Sequence, residues 1–142
     1  MKFWDSSAVV PLLAEEPATA WTTGLYREDP SMCAWWGTEI ECISAVARLE
    51  RQQAISQASL ADALKRLRAL KLAWHEVQPV EVLKETAVRL LRVHALRAGD
   101  SLQLAAAILA SEHRPSSLDF VCLDERLAVA AQREGFNVSA PG

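Results

Sequence analysis

The chain has 142 residues, of which 51% are hydrophobic and 23% are charged, the balance expected of a folded globular protein. This length predicts one domain, residues 1–142, with room for a hydrophobic core. The apolar run over residues 104–110 is too short for a membrane helix, which needs about 20 residues. Asp5 and Pro11 interrupt the segment that would form a signal-peptide core. We therefore expect a cytoplasmic protein that does not contact membranes.

The net charge of −3 hides an uneven distribution of charge along the chain. Residues 48–97 contain ten Lys or Arg and five Asp or Glu, whereas the two ends carry an excess of acids. A basic middle beside acidic ends suits a protein that places a phosphate backbone near carboxylates. The three cysteines are odd in number and show no Cys-x-x-Cys spacing, which argues against a disulfide framework or a zinc knuckle.

Short apolar segments alternate with amphipathic ones along the whole chain. The segments predicted as strands are residues 2–5, 32–36, 74–78, 120–123 and 136–139. The segments predicted as helices are residues 6–13, 18–26, 38–49, 57–70, 81–96, 100–112 and 124–134. Ser6 or Ser7 is predicted to cap the first helix and Thr38 the third, and Gly135 to end the last helix.

This alternation predicts an α/β protein in which a small, mainly parallel central sheet lies between two layers of helices. In such three-layer α/β/α folds the functional crevice lies beyond the carboxyl ends of the strands. Asp5 and Asp124 directly follow predicted strands, and Asp100 opens a predicted helix. The sequence thus directs several acids toward one edge of the sheet.

Carboxylates gathered at one point repel each other, and a hard divalent cation would relieve that repulsion. We therefore expect the acids to form a metal site suited to phosphodiester chemistry. Mg²⁺ prefers oxygen ligands, so the carboxylates are better candidates for ligands than the scattered histidines.

Four short motifs that contain these acids occur one after another along the chain. Asp5-Ser-Ser-Ala-Val-Val comes first, and Glu41-x-x-Ser-Ala-x-x-Arg48 second. Gly-Asp100-Ser-Leu-Gln-Leu-Ala-Ala-Ala and Phe-Val-Cys-Leu-Asp124-Glu-Arg-Leu complete the set. Together they resemble the PIN-domain family, and most of all the VapC toxins of bacterial toxin–antitoxin pairs. The resemblance extends from residue 3 to about residue 138 and implies the PIN-like form of the predicted fold.

The resemblance implies a metal-dependent endoribonuclease that forms a homodimer and is silenced by a cognate antitoxin protein. It implies Asp5, Glu41, Asp100 and Asp124 as the catalytic acids. The first three would hold Mg²⁺ or Mn²⁺ directly or through water, with Asp5 and Asp100 as the principal ligands. RNA is the implied substrate.

The fourth acid has two candidates, because Asp119 would begin the last buried strand and Asp124 would end it. The position along the strand favours Asp124. The chain also departs from the motif at Cys122, where threonine is frequent, and the loss of a hydroxyl there is expected to alter the positions of metal or water.

Two further residues are candidates for binding substrate. Ser6 could orient a ligand or a water, or it could only cap the first helix. Arg48 lies about two helical turns beyond Glu41 on the same face, so it could contact a phosphate or lie on the surface. An alternative function is a non-catalytic PIN-fold module that binds RNA or a basic protein segment.

Overall fold

The computed structural model describes residues 1–141, and its strands and helices alternate as the sequence predicts. The strands are β1 (Lys2–Trp4), β2 (Met32–Trp35), β3 (His75–Val77), β4 (Asp119–Val121) and β5 (Val138–Ser139). The helices are α1 (Ser6–Leu13), α2 (Thr19–Glu28), α3 (Thr38–Arg51), α4 (Gln57–Ala73), α5 (Glu81–Val93), α6 (Ala98–Ala110) and α7 (Glu125–Arg133). A short 3-10 helix, Pro115–Ser117, precedes β4.

The five strands form one sheet in the order β3-β2-β1-β4-β5, and every neighbouring pair is parallel. The chain moves outward from β1 through β2 to β3 and then returns to the other side of β1 as β4. The order of the sheet therefore reverses between β1 and β4. At such a point the connections on the two sides diverge, which leaves a crevice beyond the carboxyl ends of the strands.

Alternate strand residues face two separate hydrophobic cores, as the two-residue period of a strand requires. Trp4 and Val121 face a core formed with α1, α3 and α4, with α2 at its margin. Phe3 and Phe120 face the other core, formed with α5, α6 and α7, and their rings stack at 5.4 Å. The predicted three-layer α/β/α fold is confirmed.

Three predicted boundaries are wrong, each for a local reason. Asp5, rather than Ser6 or Ser7, caps α1 by accepting the amide of Ser7 at 3.1 Å. Gly37 occupies the cap position of α3, and Thr38 is already helical. The predicted helices 81–96 and 100–112 leave a break at residues 97–99, whereas the observed break is residues 94–97 and Gly99 lies inside α6, which starts at Ala98.

Gly37 is the glycine whose missing side chain matters most for packing. A Cβ built there would lie 2.5 Å from Nε1 of the buried Trp35 ring. The chain can therefore turn from β2 into α3 only if residue 37 carries no side chain, or if the indole of Trp35 moves. This turn fixes where Glu41 lies.

No helix within residues 1–141 combines the length and the apolar character needed to cross a membrane.

Replacing Gly37 with alanine should destabilise the protein by about 1–3 kcal/mol, because the new methyl group overpacks the Trp35 ring. Gly24 is the matched control, since it lies inside α2 and a Cβ there would meet nothing within 4 Å. Gly24→Ala should stabilise the protein by about 0.5–1 kcal/mol through its better helix propensity. Urea unfolding of both variants provides the measurement, and equal effects would contradict this account of the turn.

Candidate active site

All six of the predicted site residues line one cavity at the carboxyl ends of the central strands. The cavity has a volume of about 530 Å³, and its wall includes Asp5, Ser6, Glu41, Arg48, Asp100 and Asp124. These residues come from four different parts of the fold: the β1–α1 junction, α3, the first turn of α6 and the N-cap of α7. The structure thus brings together acids separated by up to 119 positions in sequence.

Asp5 is the most deeply placed of the four acids, with only 3% of its surface exposed. Its amide donates to the Val121 carbonyl at 3.0 Å, which continues the β1–β4 pairing beyond the strand. Its carboxylate accepts both the amide and the hydroxyl of Ser7. The Ser7 hydroxyl in turn accepts the amide of Leu123 at 3.0 Å. Ser7 therefore ties Asp5 to the segment that leads from β4 to Asp124.

Glu41 is held by Gln103, a residue that the sequence did not single out. Gln103 is fully buried on α6, and its side-chain amide donates to Glu41 Oε1 at 2.7 Å and to Thr38 Oγ1 at 3.0 Å. The only signal in the sequence was a lone amide in the apolar run that follows Asp100. Because Gln103 lies three residues after Asp100, both face the same side of α6.

Asp100 lies in the first turn of α6 and Asp124 at the N-cap of α7. The helix dipole favours carboxylates at both positions. Asp124 caps α7 by accepting the amide of Leu127 at 2.9 Å. Asp100 is predicted to open its helix, but α6 starts two residues earlier, at Ala98, so Asp100 lies within the first turn, near Asp124. Both helices thus aim their N-terminal ends at the cavity.

Asp119, the other candidate for the fourth acid, lies away from the cavity. It is the first residue of β4, and its carboxylate forms an ion pair, at 3.1 Å, with Nζ of Lys2, the first residue of β1. Asp124 follows the opposite end of the same strand and lines the cavity. The geometry therefore favours Asp124, in agreement with the prediction from strand position.

Burial and mutual repulsion raise the pKa of three acids in the cavity. Burial raises the pKa of Asp5 to about 6, with Asp100 adding repulsion against the lowering effect of Ser7. Burial raises the pKa of Glu41 to about 7, although the hydrogen bond from Gln103 lowers it, and repulsion from Asp5 and Asp100 adds to the effect of burial. Burial and then Asp124 raise the pKa of Asp100. A cation bound among these acids would offset both effects.

Arg48 and Arg97 share the wall of the cavity with the acids, but the side-chain atoms there that could bind a metal ion are all oxygens, the ligand type that Mg²⁺ and Mn²⁺ prefer. Within residues 1–141, however, no group of three or more His, Cys, Asp or Glu side chains is placed so that it could hold a metal ion. Mg²⁺ commonly takes only one or two protein carboxylates and completes its shell with waters and substrate phosphates. The residues present therefore fit a water-rich ion held by two acids, and do not form a closed protein cage.

Cys122 lies behind Asp5, with its sulfur 3.8 Å from Oδ2 of that carboxylate and 3.2 Å from the Asp124 carbonyl oxygen. Burial and the charge of Asp5 raise the pKa of the Cys122 thiol, so it stays neutral. A hydroxyl is instead supplied by Ser7 in the first turn of α1, which donates to the same oxygen of Asp5 that Cys122 contacts.

The chain is similar to two curated proteins, Ribonuclease VapC45 and Ribonuclease VapC49 from two strains of Mycobacterium tuberculosis. Each is 28% identical over 140 residues, which cover 96% of this chain and 93% of the relative. The chain is thus similar to VapC ribonucleases over nearly its whole length. No protein-family model matches it.

The fold of this VapC-like chain is also found among solved structures. FitAcB from Neisseria gonorrhoeae superposes with a TM-score of 0.63 over 97% of this chain and 96% of that chain, at 18% identity. The likeness extends over the full three-layer architecture, so the predicted PIN-like fold is confirmed.

The metal-free protein should lose stability as pH rises from 5 to 8. The folded state holds protons on Asp5 and Glu41 up to a pH of about 6 and about 7, whereas the unfolded chain releases them near 4. Between these values the folded state binds more protons, so its free energy of unfolding falls as pH rises. Each pKa unit corresponds to about 1.4 kcal/mol, and about one unit of the raised pKa of Asp5 lies above pH 5, so Asp5 alone contributes about 1.4 kcal/mol of the loss between pH 5 and pH 8.

The measurement is urea unfolding in a chelator at pH 5 and pH 8, for the parent and for Asp5→Asn. The variant removes the carboxylate but keeps the oxygen that caps α1, so its stability should depend less on pH than that of the parent. An equal pH dependence in the two proteins would contradict the placement of Asp5.

Replacing Gln103 with methionine should raise the pKa of Glu41 above its value of about 7. Methionine has a similar length but donates no hydrogen bond, and the bond from Gln103 lowers the pKa of Glu41. Carboxyl NMR titration in a chelator would measure the change. Thr38→Val serves as the control, because it removes the second partner of the Gln103 amide and leaves the contact to Glu41. If Gln103→Met left the Glu41 titration unchanged, the assigned contact would be wrong.

Proposed function

We propose that the protein is a metal-dependent endoribonuclease that hydrolyses RNA phosphodiester bonds and acts as the toxin of a type II toxin–antitoxin pair. One observation carries the proposal: four acids from distant parts of the chain line a single cavity at the reversal point of the sheet. The names of the VapC relatives, both ribonucleases, favour this chemistry over a non-catalytic binding module with the same fold.

In this proposal Asp5 and Asp100 hold Mg²⁺ or Mn²⁺, and Glu41 and Asp124 accept hydrogen bonds from the surrounding waters. When bound, such an ion would supply a water of lowered pKa and would neutralise charge on the phosphate. Gln103 and Ser7 keep Glu41 and Asp5 in fixed orientations by donating to them. Because both donors and carboxylates are fixed before substrate arrives, little reorganisation is needed during the reaction.

Arg48 and Ser6, the two residues predicted to contact substrate, lie in the wall of the cavity. Arg48 lies on α3 two turns beyond Glu41, and the two line the same cavity, so its guanidinium can contact a phosphate of an RNA strand that enters this cavity. Ser6 is free of the capping role, which Asp5 performs, and its hydroxyl acts to lower the pKa of Glu41. Ser6 is therefore available to orient a water or a ligand.

The proposal includes a cognate antitoxin, a homodimer and a cytoplasmic location, all of which follow from the likeness to VapC proteins. The acidic cavity supports the first of these, because a basic segment of an antitoxin could enter it and compete with the cation and the RNA.

Purified protein should cleave total RNA when Mg²⁺ or Mn²⁺ is added, and a chelator should stop the cleavage. Asp5→Asn and Asp100→Asn should each lower the rate by about 100-fold or more, since even groups that only orient metal ligands contribute about 10–100-fold. Asp119→Asn is the matched control, because it removes an acid at the other end of β4 and should cleave like the parent.

Parent protein that cuts no RNA would contradict the proposal, as would Asp5→Asn and Asp100→Asn variants that cut as fast as the parent. If calorimetry also detected no saturable binding of Mn²⁺ but tight binding of a basic protein, the non-catalytic module would be the better description.

A further inference from the structure

A second cavity adjoins the acidic one on the side of α6 and α7. It has a volume of about 490 Å³ and is lined by Arg97, Asp100, Asp124, Glu125, Arg126 and Val129. Three of these residues, Arg97, Asp100 and Asp124, also line the acidic cavity. The two cavities therefore meet at these acids, and together they offer a path longer than one phosphate group.

Arg97 and Arg126 enter the second cavity from the starts of two helices. Arg97 occupies the N-cap position of α6 without a capping hydrogen bond from its side chain, three residues before Asp100, and Arg126 is the second residue of α7, two residues after Asp124. A positive side chain at a helix N-terminus is unfavourable, because that end of the helix carries partial positive charge. Helix stability therefore does not account for an arginine at both places.

Neither arginine forms a salt bridge with the acids beside it. Both are exposed, and within residues 1–141 neither makes a salt bridge, although both act on Asp100 closely enough to lower its pKa. Two guanidinium groups held near carboxylates, but not bonded to them, keep their donors available for an outside anion. The planar fork of arginine matches the oxygens of a phosphate.

We propose that the second cavity is a subsite for backbone phosphates of the RNA strand on one side of the bond that is cut, bound by Arg97 and Arg126. This inference rests on the proposed ribonuclease function. Arg48 lines the acidic cavity but not the second one, so it takes a phosphate on the other side of the acids. The RNA strand then extends in both directions from the metal site. An enzyme that cuts within a strand, and not at its end, requires this arrangement.

Phosphate contacts of this kind bind RNA without regard to base sequence, and each one displaces counterions from the strand. Loss of one contact should therefore weaken binding for every sequence and make it less sensitive to salt. For single-stranded nucleic acid, the slope of log affinity against log salt should become shallower by about 0.7 for each contact removed.

The experiment measures binding of single-stranded oligoribonucleotides in Mg²⁺ at several salt concentrations, using Asp5→Asn protein so that the RNA stays intact. Arg97→Gln and Arg126→Gln are added singly and together. Arg133→Gln is the matched control, because it removes the same charge from the far end of α7. Each single variant should weaken binding by about 3–10-fold and flatten the salt dependence, the double variant should do both further, and the control should match the Asp5→Asn protein.

A salt slope that is unchanged in both single variants and in the double variant would overturn the subsite. The subsite would also be overturned if the arginine variants changed only thermal stability or Mn²⁺ affinity, because the arginines would then serve to neutralise Asp100. In either case cleavage of RNA by the parent would leave the ribonuclease function standing. If the parent neither cuts nor binds RNA, the proposed function and the subsite both fail.

Discussion

A buried carboxylate at the end of the first strand is the constraint on which the site depends. Asp5 is buried from water where the central strand β1 ends. An ionised acid there costs free energy unless hydrogen-bond donors or cations surround it. The Ser7 amide and hydroxyl provide part of that compensation, and the Ser7 hydroxyl also receives the amide of Leu123. A single serine thus joins the two central strands at the point where the order of the sheet reverses.

The remaining acids are placed by helix ends and by one buried amide. Asp100 and Asp124 lie where α6 and α7 begin, so the polarity of both helices helps to hold negative charge at the cavity. Glu41 lies in the first turn of α3, and Gln103 reaches it from α6 across the gap between the helix layers. The oxygen of the same Gln103 side chain is buried without a partner in the described chain, so the amide is oriented by Glu41 and Thr38 alone.

The same helix starts carry charges of both signs. Arg97 and Arg126 stand within a turn of Asp100 and Asp124 but do not pair with them. A strongly attractive pair would close the cavity and cancel the field that a cation requires. The observed spacing keeps acids and guanidinium groups separately available, as the proposed binding of both a metal ion and an RNA strand would require.

The sequence alone determined the layered fold and the side of the sheet on which chemistry is expected. Strand and helix periods are local properties, and parallel strands linked by helices allow few topologies. It also placed Asp124 ahead of Asp119, because the two ends of a short strand lie on opposite edges of the sheet.

Only the tertiary structure decided which side chains touch. Asp5 displaced both serines as the cap of α1 because its carboxylate reaches the Ser7 amide. The partnership of Gln103 with Glu41 spans 62 positions and depends on how α3 and α6 pack, which no local pattern encodes. The second cavity likewise exists because α6 and α7 begin side by side, and the ordering of the sheet sets that proximity across the whole chain.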